Sequence, residues 1–176
     1  MLVVCDASPL RYLILIGLGD CLPVLFRRIL VPPAVLAELT RPRTPAAVRD
    51  WLVDRPTWLE ESTPGAPIEA DGLGLGEREA IALAVEARAD AVLMDDRDAV
   101  KEARDRGLRV LGTLAVLDEA AYHGLIVDLA DALDRLARTT NFRVGATVEA
   151  IMRDMLRRDR ERRATTESDP PGAIAP

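Results

Sequence analysis

The feature that most constrains this chain is a series of short apolar runs that alternate with helical patterns. Continuous apolar runs occupy residues 2–5, 29–31 and 91–94, and weaker strand patterns lie at 57–61 and 108–111. Uninterrupted apolar runs are typical of strands that are buried on both faces of a parallel sheet. The sequence therefore predicts the α/β class, with a three-layer α/β/α sandwich and a mainly parallel sheet.

The composition agrees with this fold class. The chain is 49% hydrophobic but only 3% aromatic, and an aliphatic core suits parallel strands covered by helices better than an aromatic-rich barrel. We expect one main domain over residues 1–125, a helical extension over 126–163 and a disordered tail over 164–176, because that tail combines Thr, Ser, Asp, Pro and Gly.

Several element boundaries follow from local signals. Ser8 is predicted to cap the first helix, with the following proline in its first turn. Glu77 is predicted to begin an amphipathic helix, a charged helix is expected at residues 99–106, and the last helix is expected at 146–163.

Charge and cysteine usage narrow the classes of function. The net charge is −6, so general attraction to nucleic acid is absent and any contact needs local basic patches or bound cations. Cys5 and Cys21 lie in apolar surroundings and form no CxxC, which disfavours a disulfide framework or a zinc site. Residues 1–5 are too short for a signal peptide, and we expect a cytoplasmic protein.

Acidic residues follow two of the apolar runs directly. Asp6 follows the first run, and Asp95 and Asp96 follow the run at 91–94. In parallel α/β sheets, ligands bind at the carboxyl ends of the strands, where these carboxylates are expected. Each acid also has a simpler interpretation, as the N-cap of the helix that comes next.

Two further acids complete a candidate site. Glu38 lies near the end of a predicted helix, and Glu77 lies in a first turn, where a negative charge is favoured for helix stability alone. Several carboxylates at one edge would repel one another unless a cation neutralised them, and oxygen ligands suit Mg²⁺ or Mn²⁺. His123 is the single histidine, which disfavours a Ser-His-Asp triad and a histidine-rich zinc site.

At this point the chain resembles the PIN-domain family, and in particular an uncharacterised prokaryotic subfamily often grouped with toxin–antitoxin nucleases. The resemblance covers roughly residues 1–155. It rests on motifs in the right order at 3–10 (VVCDASPL), 31–39 (VPPAVLAEL), 76–84 (GEREAIALA), 91–96 (AVLMDD), 108–117 (LRVLGTLAVL) and 123–126 (HGLI).

The resemblance implies a site and an activity. It implies a Mg²⁺- or Mn²⁺-dependent ribonuclease, with an RNA substrate and a small antitoxin protein as partners, and it is compatible with a homodimer. The ligands and catalytic groups that it implies are Asp6, Glu38, Glu77 and Asp96, with Asp95 as the alternative for the fourth acid and Ser8 orienting Asp6 or a water. Met94 departs from the family pattern, since many PIN domains have Thr or Ser there.

Other interpretations remain open on the sequence alone. The site belongs either to a nuclease, to a nucleic-acid- or protein-binding module with weak or lost catalysis, or to a metal-dependent phosphatase of small substrates. Arginines are the candidate substrate contacts: Arg27, Arg28, Arg41 and Arg43 near the crevice, and Arg153, Arg157, Arg158, Arg160, Arg162 and Arg163 on the last helix. The simpler interpretation of the second group is a solvated helix face.

Overall fold

The computed structural model describes residues 1–168 of the chain. Its strands are β1 Leu2–Cys5, β2 Arg28–Val31, β3 Leu59–Glu61, β4 Ala91–Leu93 and β5 Val110–Leu111. Its helices are α1 Ala7–Leu15, α2 Leu22–Leu25, α3 Pro33–Leu39, α4 Ala46–Val53, α5 Leu75–Glu86, α6 Arg97–Asp105, α7 Thr113–Tyr122, α8 Leu129–Thr139 and α9 Ala146–Ser168. A short 3-10 helix, Gly19–Cys21, precedes α2.

The strands form one sheet in the order β3-β2-β1-β4-β5, and every pair is parallel. Val4 pairs with Leu30 on one side and with Val92 on the other. Helices flank this sheet, so the predicted α/β sandwich with a parallel sheet is confirmed. The crossovers must be helical because a parallel strand cannot be reached through a tight hairpin.

Alternation along the strands fills both faces of the sheet. Val4, Leu30 and Val92 contribute to a core cluster with Ile81 and Ala84 of α5. The residues next to them in each strand point to the opposite face and are also buried. Burial on both faces explains why the strands read as uninterrupted apolar runs.

The structure corrects several predicted boundaries. α1 begins at Ala7 with Asp6 in the N-cap position, so Ser8 lies inside the first turn and is not the cap. α5 begins at Leu75, two residues before Glu77, and α6 begins at Arg97. α9 continues to Ser168, past the predicted start of the tail at Ala164; residues 169–176 lie outside the described part of the chain.

The chain groups into two compact units. The first runs from Met1 to Val116 and contains the whole sheet, and the second begins at Leu117. Within the second unit, α8 packs against α9, with Leu129, Leu133 and Leu136 buried. Among the described residues, no single helix is long and apolar enough to cross a membrane; α1 together with the segment Gly19–Leu25 passes that test only as a pair bent by 117°.

Candidate metal centre

The strand order creates a crevice between β1 and β4. The chain proceeds from β1 to β2 and β3 on one side and then returns to place β4 on the other side of β1. Such a switch point leaves a gap at the carboxyl ends of the two central strands, where open α/β sheets bind ligands. Asp6 directly follows β1 here, and its backbone N–H donates to the Leu93 carbonyl of β4 at 3.0 Å. The first predicted acid therefore lies at the switch point.

Within the described part of the chain, one oxygen of the buried Asp6 carboxylate lacks a hydrogen-bond partner. Its residue is 3% exposed, and its Oδ1 atom has no hydrogen-bond partner among the described residues. Although Asp6 occupies the N-cap position, its side chain forms no capping hydrogen bond within the described structure. Capping alone therefore does not account for an acid at this position.

The electrostatics of Asp6 point in the same direction. The pKa of Asp6 is raised from 3.8 to about 7, mainly by burial and also by the nearby carboxylates of Glu77 and Glu38, against a lowering by the backbone N–H groups of Ala7 and Ser8. Asp6, Glu38 and Glu77 are therefore close enough to repel one another. A cation between them would relieve that repulsion.

Glu38 and Glu77 are brought together by the contact between α3 and α5. Gly76 of α5 is buried against α3, and a Cβ atom at this position would lie 3.4 Å from Oε2 of Glu38 and 3.3 Å from Cγ2 of Val35. The small residue thus permits the close approach of the helices that carry the second and third acids. In the sequence, these two acids were indicated mainly by the family resemblance. In the structure, the contact between α3 and α5 brings them close together.

Glu77 has both a structural and an electrostatic role. Its Oε2 atom accepts a hydrogen bond from the Gly74 backbone N–H at 2.7 Å, which supports the start of α5. Burial raises the pKa of Glu77, and the carboxylates of Asp96, Glu38 and Asp98 raise it further. Glu77 is therefore a first-turn residue of α5, and its carboxylate also belongs to an acidic cluster with Asp6, Glu38 and Asp96.

Asp95 and Asp96 have different roles although they are neighbours in the chain. Asp95 accepts hydrogen bonds from the Thr113 backbone N–H at 2.8 Å and from the Thr113 hydroxyl at 2.6 Å. Asp96 is the N-cap of α6, and its Oδ1 atom accepts from the N–H groups of Asp98 and Ala99. Both oxygens of Asp95 are engaged at the junction with α7, whereas Asp96 raises the pKa of Glu77 and so faces the cluster.

The bond between Asp95 and Thr113 makes a testable contribution to stability. Thr113 is fully buried, so Thr113→Val removes a hydroxyl donor and leaves one Asp95 oxygen unsatisfied. We expect the free energy of unfolding to fall by about 1–3 kcal/mol in urea denaturation. The matched control is Thr139→Val, whose exposed hydroxyl donates to the Arg135 carbonyl; its expected change is within about 0.5 kcal/mol. Equal effects of the two substitutions would contradict this role of Thr113.

Asp98 is a member of the cluster that the sequence analysis missed. It lies in the first turn of α6, and its charge raises the pKa of Glu77. The signal was present in the sequence as a third acid two residues after Asp96, but it reads as an ordinary first-turn acid of a helix. Glu79 has a different role. Its Oε2 atom accepts a hydrogen bond from the Ala34 backbone N–H at 3.0 Å and so stabilises the start of α3.

The methionine, histidine and cysteine residues that the sequence analysis considered lie outside the acidic cluster. Met94, which departs from the family pattern, is fully buried in the core cluster with Val92 and Ile81. His123 is exposed, and its Nε2 atom lies 3.2 Å from Glu119 one turn earlier. Cys5 and Cys21 are buried free thiols.

Most arginines of α9 are engaged inside the second unit. Arg157 pairs with Asp154 and Glu161, Arg158 pairs with Asp154 and with Asp118 at 2.7 Å, and Arg163 pairs with Asp159 at 2.7 Å. This network supports the interpretation of α9 as a self-paired helix face. Near β2, Arg28 pairs with Glu60 at 2.6 Å.

The carboxylate oxygens of the acidic cluster are the kind of ligand that a hard divalent cation binds. All of its members offer carboxylate oxygens, which Mg²⁺ and Mn²⁺ prefer. Within the described residues, however, no three His, Cys, Asp or Glu side chains form a ready coordination shell. The observations that favour a cation here are the buried, unpartnered Oδ1 atom of Asp6 and the neighbouring carboxylates that raise its pKa.

A comparison with known protein families assigns this chain to one of them. A family model described as a PIN domain matches residues 2–158. No curated protein matches the chain. Among solved structures, a PilT N-terminus domain protein from the hyperthermophilic archaeon Sulfolobus solfataricus P2 is 15% identical, covers 82% of this chain and 98% of its own, and superposes with a TM-score of 0.46. The family match extends over most of the chain and includes every acid of the cluster: the protein belongs to the PIN-domain family.

Proposed function

We propose that this protein is a Mg²⁺- or Mn²⁺-dependent endoribonuclease. The observation that carries the proposal is the buried Asp6 carboxylate at the switch point, with one unpartnered oxygen and with Glu38 and Glu77 close enough to raise its pKa. PIN domains are generally nucleases, and membership of that family supports a phosphodiester as the substrate. An RNA substrate is the more specific part of this proposal.

Each acid has a proposed role at the site. Asp6 and Asp96 would be the main metal ligands, while Glu38 and Glu77 would complete the site directly or through water. The engagement of both Asp95 oxygens by Thr113 favours Asp96 over Asp95 as the fourth ligand. The Ser8 backbone N–H lowers the pKa of Asp6, which suits the proposed role of Ser8 in orienting that carboxylate.

The reaction would be hydrolysis of a phosphodiester bond. A bound divalent cation would lower the pKa of water and stabilise charge on the phosphate and on the leaving oxygen. The water oxygen forms a bond to phosphorus, the bond from phosphorus to the leaving sugar oxygen breaks, one proton passes to solvent, and the leaving oxygen is protonated. The carboxylates contribute by holding the charge of the cation at a fixed place beside the scissile bond.

The test is a metal-titrated cleavage assay on mixed RNA that compares the wild-type protein with Asp6→Asn. We expect wild-type cleavage to require Mg²⁺ or Mn²⁺ and to stop when EDTA is added. Parallel reactions with single-stranded DNA and with a chromogenic phosphate ester distinguish a ribonuclease from a general nuclease and from a phosphatase of small substrates. Cleavage that persists in EDTA, or turnover of the ester alone, would contradict the proposal.

We also propose, from the family resemblance, that the protein acts in the cytoplasm as the toxin of a toxin–antitoxin pair. The expected result is growth arrest on expression in a bacterial host, relieved by the Asp6→Asn substitution. A small antitoxin gene is expected next to its gene. Harmless expression of an active wild-type enzyme, from an isolated gene, would contradict this role while leaving the nuclease proposal intact.

The alternative is a binding module with weak or lost catalysis. Two observations favour it: no ready coordination shell among the described residues, and Met94 buried in the core where many relatives carry a hydroxyl. RNA binding without cleavage across Mg²⁺, Mn²⁺, Co²⁺ and Zn²⁺ would select this alternative.

A further inference from the structure

A pocket of about 390 Å³ lies along α6 and reaches Asp95, close to the end of β4. It is lined by Asp95, Arg97, Val100, Lys101, Arg104 and Asp105. The opposite side of α6 carries Ala99 and Ala103, which are fully buried in the core. The helix is therefore fixed by its alanine face and presents its basic face to the pocket.

Three cations occupy one stripe of this helix. Arg97, Lys101 and Arg104 are related by four and seven positions, which places them on the same face over two turns. All three are exposed. The stripe begins at Arg97, directly after the N-cap Asp96, and continues through Lys101 and Arg104 along α6.

Two of these cations are not neutralised. Lys101 forms an ion pair with Asp105 at 2.7 Å. Within the described part of the chain, the Arg97 and Arg104 guanidinium groups form no ion pair or hydrogen bond. They differ in this respect from Arg157, Arg158 and Arg163 of α9, which are paired with carboxylates.

We infer that this stripe binds the backbone phosphates of a nucleic-acid strand whose scissile phosphate lies at the acidic cluster. The inference rests on the proposed function and adds the surface that positions the strand. A chain with a net charge of −6 repels a polyanion at long range, so binding depends on local unpaired cations. Arginine suits this role because its planar guanidinium donates to two phosphate oxygens at once.

The stripe specifies position and not sequence. It presents charged side chains and a short apolar floor at Val100, but no aromatic ring on which a base would stack. Contacts of this kind fix where a strand lies without reading its bases. Binding through α6 is therefore expected to be similar for strands of different sequence and strongly dependent on salt.

The test measures binding separately from cleavage. In the Asp6→Asn background, anisotropy of a fluorescein-labelled single-stranded RNA oligonucleotide of mixed sequence gives Kd at several salt concentrations. We expect Arg97→Gln with Arg104→Gln to weaken binding at least about tenfold at low salt, and to reduce the slope of log K against log salt by about 1.4. Arg143→Gln is the control: Arg143 is exposed and does not line the pocket, and its Kd is expected to change less than about twofold.

A kinetic measurement tests the same inference in a protein that keeps Asp6. In the wild-type background, the double substitution is expected to raise KM about as much as Kd and to leave kcat within about twofold, because the stripe holds the strand and not the reacting atoms. Unchanged Kd and salt slope would overturn the inference even if the protein cleaves RNA. Loss of cleavage in every variant, with the α6 effect on Kd intact, would instead overturn the proposed nuclease function and retain the binding surface.

Discussion

Asp6→Asn is expected to abolish Mg²⁺- or Mn²⁺-dependent RNA cleavage while leaving the fold intact. Asparagine has the same shape as aspartate but no charge, so it removes the central negative charge of the cluster without opening a cavity. Loss of a group that merely orients a metal ligand costs up to about a hundredfold in activity, so the loss of a direct ligand should exceed that. The initial rate on mixed RNA at saturating metal, with circular dichroism as the check on folding, measures the effect.

The control for this variant is Asp20→Asn. Asp20 is an exposed acid in the first turn of the 3-10 helix, so the change in charge is the same but occurs at the surface. We expect its cleavage rate to stay within about twofold of wild type. Undiminished cleavage by Asp6→Asn, with Asp20→Asn as the reference, would rule out Asp6 as a ligand.

The same substitution is expected to stabilise the metal-free protein at neutral and alkaline pH. Burial raises the pKa of Asp6 to about 7, from 3.8 for the ordinary side chain. The folded state therefore holds the proton of Asp6 more tightly than the unfolded state, and the contribution of Asp6 to the stability of the wild-type protein falls as the pH rises from about 4 to about 7. Asparagine carries no such proton, so above pH 7 the variant should be more stable by on the order of 4 kcal/mol.

Urea unfolding in EDTA at several pH values measures this difference. The gap between Asp6→Asn and wild type is expected to be near zero at pH 4, to open through pH 7 and to stay constant above it. Added Mg²⁺ should narrow the gap at pH 8, because a cation bound to the folded wild-type protein offsets the cost of its buried charge. If the difference in unfolding free energy between Asp6→Asn and wild type did not change with pH, Asp6 would not have the raised pKa on which this prediction depends.

Activity and stability are thus expected to change in opposite directions at one residue. This combination distinguishes a functional acid from a structural one. A structural acid such as Asp95, whose two oxygens bond to Thr113, should lose stability when it is replaced. Asp95→Ala and Asp6→Asn therefore form an informative pair in the same unfolding experiment.

Local sequence patterns were sufficient to predict the strands and helices but not the residues at which the helices begin. The apolar runs predicted the strands, because burial on both faces of a parallel sheet demands uninterrupted apolar residues. Predicted helix starts were wrong by two residues at α1, α5 and α6, since Asp6, Ser8, Glu77 and Asp96 all suit more than one position in a first turn. The sequence placed Asp6, Asp96 and Glu77 at strand ends or in a first helical turn, without distinguishing helix capping from membership of an acidic cluster.

The order of apolar runs and helical patterns by itself determined the fold class and indicated Asp6, Asp95 and Asp96 as strand-end acids, because periodicity and strand-end position are local properties of the chain. Glu38 and Glu77 were indicated mainly by the resemblance to the PIN-domain family. Only the tertiary structure decided which acids lie near one another. The placement of β4 beside β1 brings the end of each strand to one crevice, and the packing of α3 on α5 at Gly76 brings Glu38 to Glu77. Burial, pKa and hydrogen-bond partners depend on residues far apart in sequence. The engagement of Asp95 by Thr113, the raised pKa of Asp6 and the unpaired arginines of α6 were therefore visible only in the folded protein.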